Sequence, residues 1–186
     1  KPDGYSSADM KALAASDDAV CKTPAVRPNV IFVMCEAYTD LSDEDVFLYT
    51  EEENPTHGFH VLAESGRARS GHIVVSNFGA GTANTEFDVL TGMQTNALSD
   101  TTTSAMRVIN RNLDSLFRVF GADGYRTSFY HPGDAWFYNR ENVYRWLGAE
   151  NTVFAKDMQD PEYKGRWVTD DYMAGQIEEE FATAVS

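Results

Sequence analysis

Cysteine is scarce in this chain: Cys21 and Cys35 are the whole complement. Two thiols make neither a disulfide framework nor a zinc site. Their pairing stays open, and Cys35, at the end of an apolar run, reads as a small buried residue. No stretch approaches the roughly 18–20 apolar residues of a membrane span. The polar start, Lys1 to Asp18, lacks the apolar segment of a signal peptide and reads as linker, so location must come from something other than a targeting signal. Basic residues are few, with 15 Lys and Arg against 29 Asp and Glu and a net charge of -14. So acidic a surface repels nucleic acid, which removes DNA and RNA from the expected partners. It repels anionic lipid headgroups too, unless the site brings its own cations; the simplest reading of the charge is solubility. Histidine ends early, with none after His131.

What is present suits one globular domain. At 186 residues, 42% apolar and 12% aromatic, the chain is long enough for a real core. Residues 1–27 read as a short helix (Ser7 to Ala15) and a linker. Val30-Ile31-Phe32-Val33-Met34 is a continuous apolar run, as in a strand buried on both faces of a parallel sheet. Ile73-Val74-Val75 reads as a second strand, Tyr125 to Tyr130 as a third and Thr152 to Phe154 as a fourth. Helices are expected over Thr56 to Glu64, Thr82 to Leu90, Leu113 to Phe120, Arg140 to Leu147 and Thr169 to Val185, the last with Met173, Ile177, Phe181 and Val185 on one face. Thr39 to Pro55 and Asn96 to Ser104 read as loops. Strands alternating with helices give an α/β fold with a mainly parallel central sheet flanked by helices. So few strands leave the sheet incomplete at the C-terminal end, so 28–186 reads as the N-terminal portion of a domain.

Three places carry candidate chemistry. Gly79-Ala80-Gly81 feeds a helix that begins at Thr82, and helix N-termini favour phosphate. Thr82 is either a capping residue or a nucleophile whose pKa a divalent cation lowers. Glu36 ends the first strand, where open α/β sheets bind ligands; it is a surface carboxylate or a ligand for a hard cation such as Mg²⁺ or Mn²⁺. Third, Tyr130-His131-Pro132-Gly133-Asp134-Ala135-Trp136-Phe137-Tyr138-Asn139-Arg140 follows another strand end. Arg140 suits a bidentate grip on phosphate, and Trp136 or Tyr138 suits stacking on glycerol or sugar. The plainer alternative is a loop anchored by aromatics. His57, His60 and His72 read as structural or exposed.

Together these motifs resemble one family. Pro28 to Glu36 is similar to the opening strand and metal-ligand glutamate of the lipoteichoic acid synthase group in the alkaline phosphatase/sulfatase superfamily. Gly81-Thr82-Ala83-Asn84-Thr85-Glu86-Phe87-Asp88-Val89-Leu90-Thr91-Gly92 resembles that group's nucleophile segment, and Arg166 to Asp171 its later helix start. The resemblance implies a sulfatase-like sandwich. It implies that Thr82, with Glu36 on one Mn²⁺ or Mg²⁺ ion, attacks phosphatidylglycerol, and that glycerophosphate passes from Thr82 to a glycan or polyglycerophosphate hydroxyl. His131, Asp134, Tyr138 and Arg140 then line the substrate pocket. Tyr138 stands where the group often has tryptophan, and the group's pocket aspartate falls on Gly133, one place before Asp134. The group completes its metal site with a downstream Asp-His pair, so these residues alone are expected to be weak or inactive as a catalyst. The resemblance also implies an extracytoplasmic domain of a bacterial cell membrane, tethered by upstream membrane helices. Phosphoethanolamine transfer, another phosphodiester hydrolysis, or a non-catalytic glycerophosphate-binding domain are the alternatives. The superfamily's sulfatases use a Cys/Ser-x-Pro-x-Arg run; in Cys21 to Arg27 both Pro24 and Arg27 lie too far along, and the run precedes the first strand.

Overall fold

Side-chain caps at Ser6, Ser115 and Thr169 set three of the helix starts in this chain. The computed structural model describes residues 6–16, 26–36, 38–40, 47–50, 52–77, 81–98 and 104–184. They fall into two units, 1–32 and 33–186. In the first, α1 (Ser7–Ser16) starts where the Ser6 hydroxyl accepts the Asp9 N–H at 2.9 Å. That bond satisfies one of the donors a helix start leaves unpaired. Residues 26–32 are exposed and carry no regular secondary structure.

The second unit holds the remaining elements. In chain order they are α2 (His57–Glu64), α3 (Thr82–Thr91), α4 (Thr95–Leu98), α5 (Ala105–Val108), α6 (Leu116–Ala122), β1 (Ser128–His131), α7 (Arg140–Leu147), β2 (Asn151–Phe154), β3 (Tyr163–Lys164), β4 (Trp167–Val168) and α8 (Asp170–Thr183). β1 and β2 pair in parallel, with Ser128 opposite Asn151 and His131 opposite Phe154. Parallel neighbours need a crossover, and α7 lies in it. β3 and β4 form an antiparallel hairpin.

One core locks α3 to this βαβ unit. Ala83 and Phe87 of α3, Ala105 and Met106 of α5, Ile109, and Val143, Tyr144 and Leu147 of α7 form a single buried cluster. Phe129 of β1 stacks on Tyr144, centroids 3.4 Å apart. Each large side chain buried this way contributes about 1.5–3 kcal/mol. α8 is tied to β1 separately: Glu180 accepts from Tyr130 Oη at 2.7 Å, Arg126 Nη2 at 2.9 Å and Ser128 Oγ at 3.1 Å.

Several sequence expectations are corrected. Val30–Met34 and Ile73–Val75 form no ladder among the described residues. A strand buried on both faces requires neighbours, and here the runs stay exposed, Val74 completely at 100%. Cys35 is consequently a free, exposed thiol and not a buried one. α6 begins at Leu116 because Ser115 caps it, its hydroxyl accepting the Arg118 N–H. Leu113 instead donates its N–H to the Trp146 carbonyl at 3.3 Å. Thr95–Leu98 forms a helical turn where a loop is expected, since the Asp88 carboxylate accepts the Thr95 N–H at 2.7 Å. On α8, Met173 and Ile177 are half-buried and Phe181 is exposed, so its apolar face is covered in part. Cys21, Pro24, the acidic loop over 41–46, Gly79, Ala80, residues 99–103 and Val185 lie outside the described residues. Among the described residues no helix is long and apolar enough to cross a membrane.

Candidate active site

The site is organised by α3. Gly81 occupies the N-cap position, so Thr82 is the first helical residue and its side chain does not cap the helix. The Thr82 hydroxyl donates instead to Glu36 Oε1 at 2.6 Å, at the protein surface. The next residues each have a structural partner. Ala83 and Phe87 enter the core. Asn84 Oδ1 accepts the Ala105 N–H at 2.8 Å, which holds the start of α5. Asp88 accepts from Ser76, from Asn77 Nδ2 at 3.0 Å and from the Thr95 N–H. Gly92 closes the helix with φ +69°, a conformation that favours glycine.

Glu86, one turn beyond Thr82, meets the loop after β1. Arg140 Nη2 donates to Glu86 Oε1 at 2.8 Å, and Arg140 Nε lies 3.5 Å from Oε2. The pair is buried, with 5% of the Arg140 side chain and 11% of the Glu86 side chain exposed. Tyr144 Oη donates to Glu86 Oε2 at 2.7 Å. Burial and the adjacent Glu86 charge push the Tyr144 hydroxyl far above its usual pKa, so it stays a donor. Tyr138 and Asn139 both adopt left-handed backbone, with φ of 57° and 58°. For a tyrosine that conformation costs about 1–2 kcal/mol. It is held by the Asn139 N–H on the Trp136 carbonyl and the Glu141 N–H on that of Ala135. The strained turn sets the Tyr138 ring 5.1 Å from the Arg140 guanidinium and 5.5 Å from that of Arg107, a cation–π arrangement.

His131 closes β1 beside this pair. The Gly133 N–H donates to its Nδ1 at 2.9 Å, so the neutral ring carries its proton on Nε2. Burial, then the Arg140 charge, hold its pKa below the ordinary value, while the Glu86 and Glu36 charges oppose them. His131 therefore feels both halves of the site. Gly133 cannot carry a side chain without disturbance, because a Cβ would lie 2.8 Å from His131 Cε1. That close approach is a physical reason for glycine at this position. Asp134 and Trp136 are exposed loop residues. The Asp134 carbonyl accepts the Phe137 N–H at 3.1 Å, and its carboxylate takes no part in the Glu86–Arg140 network among the described residues.

Glu36 and Thr82 offer oxygen donors alone, the set that suits Mg²⁺ or Mn²⁺. Among the described residues there is no group of three or more His, Cys, Asp and Glu able to hold a metal. Two oxygen donors of the kind a hard cation takes are thus present among the described residues, fewer than such an ion needs. Sequence reasoning singled out Thr82, Glu36, His131, Asp134, Tyr138 and Arg140, and missed Glu86, Tyr144 and Arg107. The available signal for Glu86 was its i+4 spacing from Thr82, which puts both on one helix face.

A family model described as Sulfatase matches residues 28–184. A protein of Rhizobium meliloti (strain 1021) described as "Putative cyclic beta-1,2-glucan modification protein" is 26% identical over 176 residues, 95% of this chain and 26% of that protein. The crystal structure of the lipoteichoic acid synthase LtaP from Listeria monocytogenes is similar with a TM-score of 0.49 and 24% identity, over 58% of this chain and 27% of that one. A protein in the alkaline phosphatase superfamily from Vibrio parahaemolyticus gives 0.44 and 23%, over 54% and 24%. The chain spans about a quarter of the length of each of these proteins.

Proposed function

The chain belongs to the sulfatase family, and on that premise we propose that it carries the nucleophile part of a metal-dependent phosphoglycerol transferase of the lipoteichoic-acid-synthase type. The alkaline phosphatase/sulfatase superfamily consists of enzymes that generally depend on divalent metals. The fold hosts more than one chemistry, so the reading rests on the site. The observation that carries it is the 2.6 Å contact between Thr82 Oγ1 and Glu36 Oε1 at the start of α3.

The reaction has two displacements. Thr82 Oγ attacks the phosphorus of phosphatidylglycerol and loses its proton to solvent. The phosphorus–oxygen bond to diacylglycerol breaks, and diacylglycerol leaves as the alcohol after taking up a proton. An acceptor hydroxyl then attacks the glycerophosphate on Thr82. Its proton is released as the new ester forms, and the Thr82 oxygen departs and is reprotonated. Held by Glu36 and Thr82, a Mn²⁺ or Mg²⁺ ion would lower the Thr82 hydroxyl pKa and offset phosphoryl charge. Arg140 and the Nε2–H of His131 contact phosphate or glycerol oxygens. Tyr138 lines the glycerol pocket, and Asp134 reaches it from the loop.

The description of the Rhizobium relative supports a glycan hydroxyl as acceptor over polyglycerophosphate. A lipid donor sets the work at a membrane surface, and the motif resemblance to the lipoteichoic acid synthase group supports the extracytoplasmic side. The test is to incubate the full gene product with phosphatidylglycerol and Mn²⁺ and to map peptides by mass spectrometry. A glycerophosphate on the Thr82 peptide, absent from Thr82→Ala, is the expected result. An unmodified peptide with the lipid intact overturns the reading.

A further inference from the structure

We infer that Glu86 is a positioning residue, which fixes the Arg140 guanidinium relative to the Thr82 hydroxyl so that its free edge meets the phosphate of the donor; the inference rests on the reading of Thr82 and Arg140 given above. The argument begins with helix geometry. Residues i and i+4 lie on one face, about 6 Å apart along the axis. Thr82 and Glu86 are so related, and α3 is pinned at Ala83 and Phe87 by the core. The separation between hydroxyl and carboxylate is thereby set by a rigid element and not by a loop.

Arg140 needs such a reference. It follows two residues in left-handed backbone, at the junction of a loop and α7. An arginine there has several rotatable bonds and no ladder to hold it. Glu86 engages it from the side, at Nη2 and more distantly at Nε. That choice of edge matters. A planar guanidinium has five N–H groups, and a carboxylate on the Nε/Nη2 side leaves the Nη1/Nη2 edge open to a second partner. Nη1 makes no hydrogen bond among the described residues, and that edge is the one with fork geometry for two phosphate oxygens. Tyr144 Oη on Glu86 Oε2 stops the carboxylate from turning. Tyr138 lies against the guanidinium and limits its tilt.

The buried pair could equally be a plain structural tie, so the test must separate the two roles. The full gene product is titrated with sn-glycerol 1-phosphate by calorimetry, as wild type, Arg140→Lys, Glu86→Gln and the double variant. Glu86→Gln keeps the shape and the oxygen that Tyr144 bonds but loses the charge that orders the fork. Each single variant is expected to bind about tenfold more weakly, and the double variant no more weakly than the weaker single, because interactions that act as a unit are non-additive. Thermal midpoints measured beside them identify a variant that has lost its fold. If Glu86→Gln fails to fold, Tyr144→Phe replaces it, with an expected loss of about threefold from the freed carboxylate. Wild-type binding that depends on Arg140 but ignores both Glu86→Gln and Tyr144→Phe overturns the positioning role and leaves the functional reading standing. So do losses that simply add in the double variant. Wild-type binding that ignores Arg140, or no binding at all, overturns the functional reading and takes the positioning role with it.

Discussion

Thr82 donates its hydroxyl to Glu36 at 2.6 Å across 46 residues of chain. The contact joins the first residue of α3 to a residue that carries no ladder. It is therefore a tertiary choice and not a by-product of local backbone geometry. A threonine with a merely local role at this helix start would sit at the N-cap and accept an N–H from its own first turn. Gly81 takes that position, which leaves the Thr82 hydroxyl free to face Glu36.

Substitution at Thr82 should sort by hydroxyl and not by size. Thr82→Ser keeps the oxygen and is expected to keep headgroup release within about tenfold of wild type. Thr82→Ala and the isosteric Thr82→Val should lower it by about 10³-fold or more and abolish the covalent adduct. The measurement is release of diacylglycerol from phosphatidylglycerol, with peptide mapping alongside. Adduct formation in Thr82→Val would exclude Thr82 as the nucleophile.

Glu36→Gln separates charge from hydrogen bonding. The amide oxygen still accepts from Thr82, so folding should be unaffected, with a thermal midpoint within about 2 °C of wild type. Mn²⁺ is held mainly by charged oxygen, and its affinity should fall by at least about tenfold. Calorimetric titration with Mn²⁺ reads this directly. An unchanged affinity would place the cation elsewhere.

The pairing of these two residues was expected from the family resemblance, while each stood out by a local pattern: an apolar run ending in glutamate, and a glycine turn opening onto a helix. Helix positions were legible for the same kind of reason. Gly148 ends α7 with φ +92°, and Thr169 caps α8, accepting the Tyr172 N–H at 3.3 Å. The ion pair of Arg140 with Glu86 was not legible. It spans 54 residues, and nothing local tells which of 29 acidic side chains a given arginine will find. The exposed runs at Val30–Met34 and Ile73–Val75 misled in the opposite sense. Apolarity records that a segment suits burial, but a strand exists only when a neighbour accepts its ladder.

The tie between α8 and β1 should make stability depend on pH at both ends. Hydrogen bonds from Tyr130 and Ser128, and the charge and hydrogen bond of Arg126, outweigh burial and lower the Glu180 pKa. A depressed folded pKa gives stability that is complete above the unfolded value, 4.5, and is lost as pH falls from there through the folded value. Tyr130 is shifted the other way, from 10.0 to about 12, by burial and by Glu180. Its contribution is complete below 10.0 and is lost as pH climbs through about 12. Thermal unfolding followed by circular dichroism should show both losses in the wild type. Glu180→Gln should reduce both and cost about 1 kcal/mol at pH 7. An unaltered pH profile in that variant would mean that α8 docks through its apolar face and not through Glu180.

Gly133→Ala tests why the loop folds back on the histidine. A Cβ there would stand 2.8 Å from His131 Cε1, closer than real contacts allow, and 3.1 Å from Nδ1, a tight contact. The imidazole has to swing, and the bond from the Gly133 N–H to Nδ1 is lost. Burial is the leading cause of the lowered His131 pKa, with the Arg140 charge next. A displaced ring escapes part of both, so its pKa should rise toward the ordinary value of about 6.5. The sign for stability follows. A histidine with a lowered folded pKa contributes stability above the unfolded value and loses it as pH falls through the folded one. The variant should therefore be less acid-sensitive near pH 6, yet less stable at pH 8 by about 1–3 kcal/mol from overpacking. Titration of the His131 Cε1–H resonance in a sample labelled at histidine gives the pKa, and thermal melts at the two pH values give the rest. A resonance that titrates as in the wild type would show that the backbone at Gly133 yields instead of the ring, and that the glycine is dispensable to the histidine's state.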